Sequence, residues 1–474
     1  MKVLLPLVLL VALSVVTHAD VRSWRNDGTG IYPDANPPLD WKSESITLWS
    51  TAFEESNANP ILVANKLFFM EEPSSLVCVD SATGDVLWKR SNELLSLLGL
   101  TDEEVEAAKA TMAESERLDK EIARKLYEME RLMRSRKNMS TEDFQRRNNE
   151  ILNEYMELGE VKDRLSKNDP YGNTVTPAAH PSNGYTSYTP VSDGKHVFAC
   201  LGTGAVVAYD LEGKRIWHAV LDDPDHIFGG SVSPILVDGK LIIRFADYVA
   251  LEPSSGEELW RTPSKTVFGT PIAFYVEEQA YLFTPRGEVI RVKDGKKVGK
   301  ELVKFRFKDI DWATFNSPIL SGDRLYTVRG QNGMEGDVYQ FRIPKTIREL
   351  ERRGLKQVWH KEIRKSRYYA SPLIVDGLLY LFTDTRWLIV LDAETGEQVY
   401  EHRLEHMKGI SYPSLVLAGN QIFAGTENGQ VTFFEPGQEY VEVARSEVAE
   451  FRTTPVFVDD TVYIRTKEGM RAIR

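Results

Sequence analysis

Three cations stand at comparable places in an acidic chain. Arg367 and Lys408 each lie five residues before a proline, Pro372 and Pro413, and Arg452 lies three before Pro455. Neighbouring cations at matched positions repel one another, so the pattern calls for an anionic ligand or for internal carboxylates that neutralise them. Aromatic side chains recur in the same kind of segment: Tyr185, Phe228, Phe268, Trp312, Phe315, Tyr368, Tyr369 and Phe451. They serve either as packing groups or as a platform for a ligand. His180, in TVTPAAHPSNGY, leads into one of these segments. Other combinations offer less. His402 and His406 have the i, i+4 spacing of a zinc pair but sit in strand-like sequence without the glutamate of HExxH. Asp222, Asp223 and Asp225 before Gly229 and Gly230 suit a calcium loop or a solvated turn. The chain has no GxSxG elbow, no Walker loop and no Cys-x-x-Cys-His haem site. No catalytic residue, metal ligand or cofactor-binding residue is therefore assigned, and no cofactor is expected.

These segments are positioned by a repeat. SPILVDGKLIIRFADYVALEPSSGEELWRT from Ser233 reads as four strands: an apolar strand, an Asp-Gly turn, a second strand, a third ending in Ala, and a Gly turn into a strand ending in Trp. The order recurs from Thr189 and Ser371, and weaker copies start at Asn59, Thr270, Ser317, Tyr412 and Thr454. The anchoring prolines are Pro60, Pro190, Pro234, Pro271, Pro318, Pro372, Pro413 and Pro455, and after the first interval they are 44, 37, 47, 54, 41 and 42 residues apart. Such a period with four short strands per unit marks a β-propeller, and eight anchors imply eight blades. The last unit ends at Arg474 before any Trp strand, whereas ITLWSTAF at Ile46 to Phe53 is a Trp-bearing strand ahead of the first anchor. Joined together they would complete the eighth blade and remove the exposed edges of an open array.

The turns CVDSATGDVLW (Cys78 to Trp88), ALEPSSGEELW (Ala250 to Trp260), VLDAETGEQVY (Val390 to Tyr400) and AYDLEGKRIW (Ala208 to Trp217) make a specific resemblance. They resemble the tryptophan-docking repeat of the pyrroloquinoline-quinone-type propellers, a superfamily of quinoprotein dehydrogenases and of cofactor-free, BamB-like proteins. The resemblance covers about residues 46 to 90 and 186 to 474. It implies that Trp88, Trp217 and Trp260 dock structurally on the neighbouring blade, with Trp49 and Trp359 in a less regular version of that role. It also places the cation- and aromatic-bearing segments on the loops around a central channel. The quinone-using branch resembling methanol dehydrogenase carries an adjacent cysteine pair and a calcium ligand set, whereas Cys78 and Cys200 here are 122 positions apart. Those two cysteines rule out a disulfide framework and form either one disulfide or two buried thiols.

One insertion breaks the rhythm. The first interval, Pro60 to Pro190, is 130 residues long. Its excess, residues 92 to 169, contains no proline and carries 14 basic and 19 acidic side chains. Thr101 with Glu104 predicts a capping box and a helix to about Lys137, with Ile122, Leu126, Met129 and Met133 on one face. Ser140 predicts a second helix whose Phe144, Ile151, Leu158 and Leu165 fall seven apart, with Tyr155 between them, as in a coiled-coil seam. The pair reads as an antiparallel hairpin: a self-contained decoration, a docking or dimerisation arm, or, least in keeping with its acidity, a membrane-surface element.

Residues 1 to 19 have the build of a secretory signal with a cut after Ala19, and no lipid-attachment cysteine follows. With 58 basic against 70 acidic residues the net charge is −12, which excludes a basic nucleic-acid binder. The expected organisation is thus a signal peptide (1–19), an N-terminal extension (20–45), a closing strand with the first blade (46–91), the helical hairpin (92–169) and the remaining blades (170–474). The fold expected is an all-β, eight-bladed propeller closed by an N-terminal strand, periplasmic or secreted. Its expected role is that of a non-enzymatic binding or scaffolding module for a protein or glycan partner, with a candidate anionic-ligand face at His180, Tyr185, Phe228, Phe268, Trp312, Phe315, Arg367, Tyr368, Lys408 and Arg452. The alternative is a quinoprotein-type dehydrogenase using pyrroloquinoline quinone.

Overall fold

Short apolar runs split by Gly and Asp turns form most of the strands, and the computed structural model describes them over residues 20–42, 44–136, 139–170, 183–222, 229–299, 314–330 and 335–474. Among the described residues they make eight sheets, seven of four strands and one of five, in a β-propeller-like arrangement. The first sheet is Ile61–Val63, Lys66–Glu71, Ser75–Asp80 and Val86–Ser91. The next seven begin at Val191–Ser192, Ile235–Val237, Ile272–Val276, Ile319–Ser321, Leu373–Val375, Val416–Ala418 and Val456–Val458. Middle strands such as Lys66–Glu71 are buried on both faces because sheet packs on sheet, so their sequence is a continuous apolar run instead of an alternation. Outer strands bury little; in Val86–Ser91 only Trp88 is buried.

The eighth sheet is completed from the other end of the chain. Thr47–Ala52 pairs antiparallel with Gly469–Ile473, with Trp49 opposite Ala472. In this strand and in the outer strands holding Trp88, Trp217, Trp260 and Trp359, the ladder skips the residue just before the Trp. That bulge re-aims the indole toward the next sheet and leaves the skipped Leu48, Leu87, Ile216, Leu259 and Val358 exposed. Each indole Nε1 then donates to a turn carbonyl of the following sheet: Trp49 to Ser81, Trp88 to Leu211, Trp217 to Pro253, Trp260 to Val292 and Trp359 to Ala393. The turn glycine under each ring leaves room for it. At Gly213, with φ +82°, a Cβ would lie 2.7 Å from the Trp88 ring.

A second set of links runs round the inner ends of the sheets. One residue per sheet accepts on its side-chain oxygen the backbone N–H of its predecessor: Asn59 N to Thr189, Thr189 N to Ser233, Ser233 N to Thr270, Thr270 N to Ser317, Ser317 N to Ser371, Ser371 N to Ser414, Ser414 N to Thr454, and Thr454 N back to Asn59 Oδ1. The bonds are 2.8–3.1 Å long and return to their starting residue. In seven sheets this residue immediately precedes the anchoring proline. The seventh sheet differs: the ring residue is Ser414 and Leu415 takes the proline's place, so Pro413 lies two positions away from the equivalent site.

The N-terminal extension is fastened across the inner strands. Val21 exchanges two backbone bonds with Leu62, Arg22 O accepts from Ser192 N, and Ile31–Tyr32 adds a parallel strand to the seventh sheet. Arg25, 2% exposed, donates from Nη2 to Pro372 O and Leu415 O of adjacent sheets. Trp41 buries its ring against Phe423, Phe433 and Phe457.

The insertion leaves after Ser91 and contains α1 (Leu94–Leu97), α2 (Asp102–Ser135) and α3 (Thr141–Lys167). The capping box forms, with Thr101 N donating to Glu104 Oε2 at 2.8 Å, and Ser140 caps α3. Ion pairs Lys162–Asp119 and Lys125–Glu154 hold the two long helices antiparallel. Phe144, Ile151, Tyr155, Leu158 and Leu165 are half-buried along α3. On α2 the expected face is displaced: Leu126 is 43% exposed, and the buried positions are Ala108, Ser115, Leu118 and Leu132. Ile122 and Met129 flank that stripe half-buried, and the side chain of Met133 lies outside the described residues. A 3.6-residue helix carries two interleaved heptads on its contact face, and the apolar residues alone marked only part of it.

Candidate functional site

Every sheet contributes to one central cavity of about 150 Å³. In seven of the sheets two positions, two residues apart, line it, and the fourth contributes Gly269 and Thr270. The deeper layer is the hydrogen-bonded ring. The outer layer, two residues earlier, is Asn57, Ser187, Ser231, Phe315, Tyr369, Tyr412 and Arg452, with Phe268 at the equivalent place in the fourth sheet. Side chains two apart in an extended segment point the same way, so both layers face the cavity. One half of the outer layer is polar and the other aromatic. Phe268 stacks on Phe315 at 5.9 Å, Phe315 meets Tyr369 at 5.0 Å, Tyr369 meets Tyr412 at 4.9 Å, and the Arg452 guanidinium lies 4.8 Å over the Tyr412 ring. Trp24 of the N-terminal extension lines this cavity and also a second one of about 330 Å³, as does Thr270.

The structure does not bring the three cations together as equivalents. Arg452 pairs with Glu427 at 3.0 Å, an internal carboxylate that neutralises it. Arg367 Nη1 donates to the Tyr369 hydroxyl at 2.9 Å. Lys408 does not line the cavity; its backbone N donates to Gln430 Oε1, and with Pro413 out of register it has no counterpart of Arg367 to match. Tyr368 points the other way from Tyr369: it is 1% exposed, and its hydroxyl donates to Arg364 O at 2.8 Å. Phe451 is likewise fully buried. Tyr185 acts through its backbone, donating to Glu72 Oε1 at 2.9 Å and accepting from Gly202 N. Glu72 also accepts from Thr186 N at 2.8 Å, and burial raises its carboxyl pKa in spite of these bonds. This clamp holds the segment that presents Asn183 and Ser187 to the cavity. His180, Phe228 and Trp312 lie outside the described residues, as do Asp223 and Asp225.

The remaining chemistry candidates disperse. Asp222 pairs with Arg261. His402 stacks on Tyr440 at 4.0 Å, and His406 Nε2 meets Thr432 Oγ1 at 2.7 Å, so the two imidazoles serve different contacts. Cys78 and Cys200 are free and buried. Desolvation pushes the Cys78 thiol up to about 12 and raises Cys200 further. The ring residues Thr189, Ser233, Ser317 and Ser371 belong to the site, although in sequence they show only as part of the Ser/Thr-Pro signal. In sequence they read as strand markers, since a lone serine or threonine before a proline suggests no chemistry.

The family model described as outer membrane protein assembly factor BamB matches residues 175–343 and 334–474. No curated protein matches the chain in sequence. Among solved structures, BamB from Moraxella catarrhalis is similar with a TM-score of 0.54 and 11% identity, covering 90% of this chain and 96% of that chain. The computationally designed Ika8 protein is similar with a TM-score of 0.53 and 9% identity, covering 90% and 99%. Quinohemoprotein alcohol dehydrogenase from Comamonas testosteroni reaches 0.51 at 11% identity, covering 96% and 80%. At these identities the likeness speaks for the fold alone.

A quinone cofactor with calcium does not fit the described residues. The two thiols belong to different sheets, and no three His, Cys, Asp or Glu side chains among the described residues converge as metal ligands. The docked tryptophans, the repeated four-stranded sheets and a family match over more than half of its length agree, and the chain belongs to the BamB-like, pyrroloquinoline-quinone-type β-propeller repeat family.

Proposed function

We propose that the protein is an exported, non-enzymatic propeller of eight blades, closed by the Thr47–Ala52 strand, that holds a protein or glycan partner at the mouth of its central cavity. The cycle of side-chain to backbone bonds supports the closure, because an open array would leave two of its ends unpaired, and its one member per sheet supports the blade count. The observation that carries the binding reading is the crescent from Phe268 to Arg452, five consecutive blades presenting ring faces and one stacked cation beside a polar half. Aromatic faces combined with amides and hydroxyls bury large area at small entropic cost, as binding surfaces do. The net charge of −12 does not suit nucleic acid. Among the described residues no helix is long and apolar enough to cross a membrane. The α2–α3 hairpin, anchored at its root and exposed along its length, acts in this reading as a second docking arm.

Affinity capture from the native periplasm tests the reading. A Phe315→Ala/Tyr369→Ala variant is expected to lose a partner that the wild-type chain retains, while its urea midpoint changes little. An unchanged capture profile would remove the mouth from the interface. Turnover of alcohols with added pyrroloquinoline quinone and calcium would overturn the non-enzymatic assignment.

A further inference from the structure

The ring that ties the sheets together uses its side chains in one direction. Each of the eight oxygens accepts a backbone N–H, but none of the seven hydroxyls, nor the Asn59 amide, donates to an acceptor among the described residues. All eight residues are buried, from 2% exposed at Thr189 to 6% at Thr270. They line the same 150 Å³ cavity, whose lining includes Arg452 and no carboxylate. With their oxygens already accepting, these side chains are left to donate toward the cavity they line, and the convergence of donors there favours electron-rich oxygen. Trp24 of the N-terminal extension also lines the hole, and the aromatic crescent lies one layer above the ring.

We infer that this ring is a binding site for a single carboxylate carried on an apolar or planar body, a deepening that rests on the cavity-mouth reading above. A carboxylate accepts up to about four hydrogen bonds, which suits converging hydroxyls. Arg452 is already balanced by Glu427, so the site offers one cation's field at most and matches a monoanion better than a phosphate dianion. The volume holds one terminal residue or one small acid and excludes a larger body, which must rest on Phe315, Tyr369 and Tyr412.

Titration calorimetry on the full chain with hippurate, hippuramide and benzoate tests this. Hippurate is expected to bind, and hippuramide at least tenfold more weakly. Preference for hippurate over benzoate assigns the site to a polypeptide chain end; equal binding assigns it to a small organic acid, and both support a carboxylate site. Asn59→Asp keeps the acceptor for Thr454 N while replacing a donor with a charge, and is expected to weaken hippurate at least tenfold at nearly unchanged melting temperature. If that variant does not fold, Ser317→Asn, which keeps an acceptor for Thr270 N but fills the cavity, is expected to do the same. Absence of hippurate binding, equal binding of acid and amide, or full affinity in the folded variants would overturn the inference. Partner capture that persists under those results would leave the mouth reading standing.

Discussion

Tyr368 and Tyr369 are adjacent and have opposite fates. Tyr369 faces the central cavity, and Tyr368 is buried with its hydroxyl on Arg364 O. The segment is extended, so side chains alternate, and the ring residue Ser371 fixes which parity points inward. His406 shows the same dependence on surroundings. In place of a metal it meets Thr432, and partial burial with Arg445 nearby lowers its pKa below the ordinary 6.5. A lowered histidine binds fewer protons folded than unfolded, so its contribution is present above about pH 6.5 and is lost as pH falls below it. His406→Gln is expected to flatten the fall in melting temperature between pH 7 and 5. An identical pH profile in the variant would show that other groups govern this range.

At the scale of elements, the insertion is two things joined together. Its root belongs to the propeller: Asn92, fully buried, donates to Ser74 O and accepts from the Tyr209 hydroxyl at 2.6 Å, and His218 Nε2 meets Leu97 O at 2.9 Å. Its arm, α2 with α3, is held mainly by its own seam and by ion pairs between the two helices. Replacing residues 101–168 by a short Gly/Ser linker is therefore expected to remove helical circular dichroism while leaving the melting of the sheets cooperative. Asn92→Ala, which removes the buried amide that donates to Ser74 O and accepts from the Tyr209 hydroxyl, is expected to cost about 1–3 kcal/mol in urea unfolding. A neutral Asn92→Ala would show that the root is not part of the core.

For the whole molecule, the decisive strand is contributed by residues far from its sheet in sequence. Thr47–Ala52 covers the edge of Gly469–Ile473 and docks Trp49 on the first sheet. A chain starting at Glu54 loses that pairing, the Trp49 packing and the Arg25 and Trp41 contacts together. Its unfolding free energy is expected to fall by more than the about 3–5 kcal/mol typical of one large aromatic truncation. Melting at the wild-type temperature would mean that the ring does not depend on this strand.

Much of this was legible from residue order, because the information is local. Turn glycines, the Trp at each outer strand, the strand patterns and the helix caps depend on neighbours within about ten residues. The lone Trp strand at Ile46 even pointed to its distant partner, since an unfinished last unit demands one. Only the tertiary structure decided what the sheets surround. The one-residue parity that hides Tyr368 and presents Tyr369, the offset of Pro413 from Ser414, the pairing of Arg452 with Glu427 and the place of Trp24 in the cavity lining depend on how distant segments are brought together. Each repeat's sequence specifies its own ladder, but which side chains meet on the axis depends on how eight sheets are brought round it, and no single repeat encodes that.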